Sequence, residues 1–84
     1  MPYIDPKDRV KLEDWLPMGV MRPNAGNLNY TITQLLLLYV EAKGESYQTF
    51  NDISGAMTEC LAEFRRRKIV PYEDKKIQSN GDVY

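Results

Sequence analysis

The chain has 84 residues, one cysteine and no histidine, and 11 basic and 12 acidic residues give it a net charge of −1. The single cysteine, Cys60, excludes an intrachain disulfide, and the missing histidine removes the commonest zinc ligand and general base. A Ser-His-Asp triad, a Cys-His dyad and a CxxC metal site are therefore excluded. We expect one small domain, residues 1–84, whose own core gives marginal stability and leaves self-association as the compensation.

The charge is spread unevenly, because residues 65–76 hold six of the basic side chains. A near-neutral chain is not typical of a dedicated nucleic-acid-binding module, so a nucleic acid is not the expected partner. No stretch reaches the roughly 18 apolar residues that cross a membrane, and no signal peptide is visible. The sequence predicts a soluble, cytoplasmic protein without a membrane partner.

The first predicted helix covers residues 5–16, with Asp5 as cap, Pro6 at the first position and Pro17 as the stop. Its apolar stripe is imperfect and consists of Val10, Leu12, Trp15 and Leu16. Residues 17–26 contain two prolines and two glycines and predict a loop, so residues 1–25 form an N-terminal segment before a helical core at 26–84. Met18, Val20 and Met21 in this loop suit packing over a core or a partner.

The clearest predicted helix covers residues 27–44, with Asn27 as cap and Gly44 as stop. Apolar residues at helical spacing form one stripe, namely Leu28, Ile32, Leu35, Leu36 and Tyr39. Tyr30, Leu37 and Leu38 lie off this stripe, so the helix is apolar nearly all round and needs cover on more than one side. We predict a homo-oligomer with these three residues in its interface.

A second long helix is predicted over residues 46–70, capped by Ser46 or Thr49. Its core face consists of Phe50, Ile53, Met57, Cys60, Leu61 and Phe64. The short link at Gly44 implies an antiparallel helical hairpin, and Gly55 suggests a close helix approach. Pro71 disfavours helix at the preceding residue, which predicts a break and a short final helix over residues 72–79. Gly81 ends that helix.

Three polar clusters are candidate binding sites. Asp52, Glu59 and Glu63 share a helix face and could hold Mg²⁺, or they form a solvated face in which Glu63 pairs with Arg66 or Arg67. The run at residues 65–68 could bind phosphate or a nucleic-acid backbone, or it supplies solubilising charge near a helix end. Asn51 and Asp52, with Tyr47 near Tyr39 and Lys43, could take a small ligand, or the tyrosines pack with their hydroxyls at a rim.

The polar tail, "PYEDKKIQSNGDVY", has Val83 and Tyr84 as its only apolar groups after Ile77. We expect these two residues to dock on the hairpin or on a neighbouring subunit. Asp82 or a terminal carboxylate would then lie near Arg65, Arg66 or Arg67.

The stretches "NLNYTITQLLLLYV", "YQTFNDISGAMTECLAEFRRR" and "PYEDKKIQSNGDVY" resemble a family of short bacterial, archaeal and phage proteins, a domain of unknown function, over residues 26–84. The family pattern contains LNY, an ND pair followed by glycine, an RR pair, and PYE with a final NGDVY. The resemblance implies the helical fold, the tail and a phage or bacterial origin, and it implies no activity.

Together these observations predict an all-α fold with a short N-terminal helix, a long antiparallel hairpin, and a short final helix with a docked tail. The expected function is that of an oligomeric, non-enzymatic interaction protein without a cofactor. The alternative is a Mg²⁺-dependent nucleotide-binding or nucleotide-hydrolysing protein. Its binding residues would be Asn51, Asp52, Glu63, Arg66, Arg67 and Lys76.

Overall fold

The computed structural model describes residues 5–13 and 23–84, which are helical throughout most of their length and contain no strand. The helices are α1 (Pro6–Glu13), α2 (Ala25–Lys43), α3 (Tyr47–Phe64) and α4 (Val70–Asn80). A π-helical turn, Arg65–Ile69, joins α3 to α4, so the helix is continuous from Tyr47 to Asn80. The predicted all-α fold is confirmed.

The described residues divide into two units. Residues 5–13 and 23–54 form the first unit, which holds α1, α2 and the first two turns of α3. Residues 55–84 form the second unit, which holds the rest of α3, the π turn, α4 and the tail. That residues 1–84 fold as one domain stays a prediction.

Helix α1 begins as predicted. An Asp5 Oδ1 atom accepts a hydrogen bond from the Lys7 amide at 3.1 Å, and the Asp5 carbonyl accepts from Asp8 and Arg9. These bonds satisfy amide groups that a helix start otherwise leaves unpaired. The predicted stop at Pro17, the side chains of the predicted stripe and the loop methionines lie outside the described residues.

Helix α2 begins three residues earlier than predicted, because Asn24 and not Asn27 is its cap. Asn24 has an extended backbone, and its Oδ1 atom accepts from the Asn27 amide at 2.7 Å. Either asparagine suits the cap by residue type, and the cap is the asparagine whose backbone is extended and not helical. The predicted stop is confirmed, since Gly44 has φ 85° and its amide donates to the Val40 carbonyl at 2.7 Å.

The connection between α2 and α3 is closed by polar contacts. Ser46 caps α3, because its Oγ atom accepts from the Thr49 amide at 3.1 Å. The Thr49 hydroxyl donates to the Gly44 carbonyl at 2.7 Å, and only 3% of Thr49 is exposed. The Ser46 alternative for the cap is thus confirmed, while the antiparallel direction of α3 along α2 stays a prediction.

The predicted helix break before Pro71 is wrong, and the π turn explains why. A proline inside an α-helix lacks the amide hydrogen for the carbonyl four residues back, and its ring collides with that carbonyl. The turn Arg65–Ile69 widens the helix just before the proline, and the Val70 amide bonds to the Arg65 carbonyl five residues back. The helix therefore continues, and the final helix is joined to α3 instead of being separate.

The tail, Gly81–Tyr84, is turned by Gly81, which has φ 87° and donates its amide to the Ile77 carbonyl at 2.8 Å. Farther along, the Tyr84 amide donates to Asp82 Oδ1 at 3.0 Å. The side chains of Val83 and Tyr84 are nevertheless fully exposed. Docking of these two side chains on the described part of their own chain is therefore not seen, and docking on a neighbouring copy stays a prediction.

Candidate functional site

One polar cluster lies beside the α2–α3 connection and centres on Asp52. The Tyr39 hydroxyl on α2 donates to Asp52 Oδ2 at 2.8 Å. Gln48, one turn before Asp52 on α3, donates its Nε2 hydrogen to Asp52 Oδ1 at 2.7 Å. Both carboxylate oxygens are therefore occupied by neutral donors from the same unit of the chain.

The electrostatics of this cluster favour an ionised carboxylate. The hydrogen bonds from Gln48 and then Tyr39 lower the pKa of Asp52. Burial opposes them, and the Lys43 charge adds a lesser lowering effect. The same bond raises the pKa of Tyr39, because the hydroxyl must keep its proton to donate it. A carboxylate with a lowered pKa and two hydrogen-bonded oxygens is a weak proton acceptor. The cluster therefore suits a structural contact between α2 and α3 better than acid–base chemistry.

The predicted small-ligand site beside this cluster stays a prediction. A concavity at the start of α3 is lined by Glu45, Ser46, Tyr47 and Phe50, and its lining includes neither Asn51 nor Asp52. Asn51 is exposed, and 89% of Tyr47 is exposed. Sequence reasoning correctly set the start of α3 near Tyr39, but it did not identify the Tyr39–Asp52 bond that joins them.

The second polar cluster surrounds the π turn. Glu63 forms ion pairs with Arg66 and with Arg67, whose Nε atom lies 2.6 Å from Glu63 Oε1. These are the local three- and four-residue helical pairs that the solvated-face alternative predicted for Glu63, and the predicted pairs are confirmed. Hydrogen bonding from Arg67, followed by the contributions of Arg66, lowers the pKa of Glu63.

The predicted Mg²⁺ ligands have no supporting geometry. Within residues 5–13 and 23–84, no group of three or more acidic or cysteine side chains is placed to hold a metal ion. Asp52 is bound by Tyr39 and Gln48, and Glu63 is bound by two arginines. Each carboxylate already has partners from its own neighbourhood.

The remaining basic side chains are arranged around the same stretch of helix. Arg65 and Lys68 are exposed and form no ion pair within the part of the chain that the structure describes. The Lys76 ammonium group lies 5.5 Å from the centre of the Tyr72 ring, within the range of a cation–π contact. This contact spans one helical turn of α4 and was not predicted, although its four-residue spacing is the signal for it.

The apolar side chains of both units are poorly covered by the described residues. No apolar residue among them is buried, and the predicted interface residues are exposed by 66% at Tyr30, 56% at Leu37 and 60% at Leu38. The predicted core face of α3 is not buried by the described residues either. Its exposed members are Phe50, Met57, Cys60, Leu61 and Phe64. A Cβ atom added to Gly55 would meet nothing within 4 Å, so the predicted close helix approach is not seen there.

None of the described helices is both long enough and apolar enough to cross a membrane.

Comparison with known proteins identifies a family for this chain. No curated protein and no solved structure matches the chain. A family model does match it, over residues 1–83, and so extends the resemblance at residues 26–84 through the N-terminal segment. The chain therefore belongs to the family described as "Domain of unknown function (DUF6899)".

Proposed function

We propose that this chain is a self-associating helical interaction protein and not an enzyme. The observation that carries the proposal is the inverted burial of its side chains. Among the described residues only Thr49 is buried, while several large apolar side chains on each of α2, α3 and α4 are 40% or more exposed. Folded chains normally bury their large apolar side chains and expose polar ones. A large exposed apolar surface marks an interaction site.

Helix α2 carries the most clearly apolar of these exposed surfaces. Residues 25–40 contain no Asp, Glu, Lys or Arg, and Tyr30, Leu37 and Leu38 are more than half exposed. Depletion of charge distinguishes the core of a stable interface from ordinary protein surface. Burying one leucine side chain stabilises by about 1.5–3 kcal/mol, so a few such residues decide whether two copies associate.

The polar clusters support binding over catalysis. Asp52 and Glu63 are acceptors in local hydrogen bonds and ion pairs, and the sequence contains no histidine to serve as a general base. No observation favours the magnesium-dependent nucleotide alternative. A functional surface built from leucine and tyrosine suits recognition of another apolar surface, and the simplest available one belongs to a second copy.

Sedimentation velocity of the full chain over a range of concentrations tests this proposal. We expect a dimer or a larger species at micromolar concentration, and native mass spectrometry of the same sample would give the number of subunits. A single monomeric species throughout the concentration range would overturn the proposal.

A further inference from the structure

We infer that the tail of one copy docks on the π turn of a second copy. The docking surface, called here the π-turn surface, consists of Leu61, Phe64, Arg65, Lys68 and Ile69. This inference rests on the proposed self-association and assigns it a specific contact. The acidic residue of the tail would pair with basic residues of the π-turn surface, while the apolar residues of the two segments cover each other.

The π-turn surface combines apolar and basic side chains on one side of the helix. Phe64 follows Leu61 by three residues, and Lys68 follows Phe64 by four, which are the spacings of neighbours on a helix surface. Ile69 follows Phe64 by five residues, which is the spacing of one π turn. Leu61 and Phe64 are each 57% exposed, so the apolar part of this surface has no sufficient cover in the described chain.

The composition of the tail is complementary to that of the π-turn surface, and hydrogen bonds hold the tail backbone at two points. Its residues Asp82, Val83 and Tyr84 combine one negative charge with two fully exposed apolar side chains. The Gly81 amide is held by the Ile77 carbonyl, and the Tyr84 amide is held by the Asp82 side chain. A segment that is already turned and bonded loses less conformational entropy when it binds.

Asp82 of the tail forms no ion pair with the π turn of its own chain. The eleven residues of α4, Val70–Asn80, are about 16 Å long at the α-helical rise, and they separate the tail from Ile69. Asp82 is two residues past the helix, and two extended residues span at most about 7 Å. Within the described chain, Asp82 accepts a hydrogen bond from the Tyr84 amide and forms no ion pair with Arg65, Arg66 or Arg67.

A second copy satisfies both segments at once. If α4 of one copy runs antiparallel to α4 of the other, each tail lies beside the partner's π turn, and one two-fold operation makes both contacts. Asp82 then lies beside Arg65 and Lys68, neither of which forms an ion pair within the described chain. Charge complementarity of this kind fixes which surfaces pair and in which direction.

A charge-exchange experiment tests this contact with full-length chains in sedimentation equilibrium at low salt. Asp82→Arg should raise the dimer dissociation constant by about tenfold, because two attractive contacts per dimer become repulsive. The double variant Arg65→Glu/Lys68→Glu should weaken association similarly. Mixing the two variants should restore it, because each tail then meets a π-turn surface of opposite charge. The matched control is Asp74→Arg, which makes the same charge change on α4 and should leave association as in the parent.

The outcomes separate this inference from the proposed function. If the parent chain associates and Asp82→Arg weakens it no more than Asp74→Arg does, the tail contact is wrong and the proposed self-association stands. If the mixture of variants stays as weak as either variant alone, the pairing of tail and π-turn surface is also wrong. A parent chain that remains monomeric overturns both proposals together.

Discussion

The connection between α2 and α3 buries a polar side chain, whereas the long helices on either side of it expose apolar ones. At the connection, Thr49 is 3% exposed and bonds to the Gly44 carbonyl, and Ser46 caps the next helix. On α2, more than half of Leu37 and Leu38 is exposed. Local hydrogen bonds thus fix the helix ends, while the described residues leave the apolar side chains of the helices exposed, and we propose that a second copy covers them.

The largest effect is expected where the apolar surface is removed. The double variant Leu37→Ser/Leu38→Ser should raise the dimer dissociation constant at least about a hundredfold, since each buried leucine contributes about 1.5–3 kcal/mol. Sedimentation velocity measures the change. The control is Asn29→Ser, an exposed polar residue on another side of the same helix, which should leave association unchanged. Equal association of the double variant and the parent would show that α2 is not part of the interface.

The next largest effect is expected for a substitution in the connection between α2 and α3, where it should lower the free energy of unfolding. Thr49→Val keeps the side-chain shape but removes the hydroxyl of the buried Thr49 that donates to the Gly44 carbonyl, and this costs about 0.5–1.5 kcal/mol. Thr33→Val is the matched control, because the Thr33 hydroxyl bonds at 2.9 Å to the Asn29 carbonyl on an exposed part of α2. Thermal unfolding followed by circular dichroism compares the two. A smaller loss for Thr49→Val than for Thr33→Val would contradict the ordered connection.

Two glycines give opposite expectations for the same substitution. Gly44→Ala should destabilise by about 1–3 kcal/mol, because φ 85° with ψ 153° is a backbone conformation that only glycine adopts easily. Gly55→Ala should stabilise by up to about 1 kcal/mol, because alanine suits a helix interior and its methyl group meets nothing within 4 Å. Urea unfolding measures both. A destabilising Gly55→Ala variant would place another helix close to that residue.

The smallest effect is a dependence on acid. The pKa of Asp52 is lowered from its ordinary value of 3.8, so its contribution to stability is present above that value and is lost as the pH falls through the lowered pKa. Asp52→Asn should reduce the drop in melting temperature between about pH 6 and pH 2.5, because amide 52 no longer titrates. Glu63→Gln is a parallel test at the π turn. An unchanged pH profile in both variants would remove the two carboxylates as stabilising groups.

Much of the helical layout is predictable from single residues. Asp5, Gly44 and Gly81 mark helix ends because cap side chains and glycine solve local backbone problems. The Glu63 ion pairs are predictable from three- and four-residue spacing alone. The prediction of Asn27 as the cap of α2 was wrong, since Asn24 and Asn27 are equally suitable by residue type.

Other features depend on choices that residue types leave open. Pro71 permits either a helix break or a widened π turn, and both remove the collision of its ring with the preceding turn. The core face predicted from Phe50 to Phe64 is a correct helical pattern, but a pattern does not say which surface covers it. The Tyr39–Asp52 bond joins residues from two helices, and it follows from their relative placement.

The central claim is that the exposed apolar surfaces are covered by a second copy of this chain. The most direct test is the melting temperature of the full chain, followed by circular dichroism, over a roughly hundredfold range of protein concentration. We predict that the melting temperature rises steadily with concentration, because association stabilises the folded helices by mass action. A melting temperature and a helical signal that do not change across this range would contradict the claim.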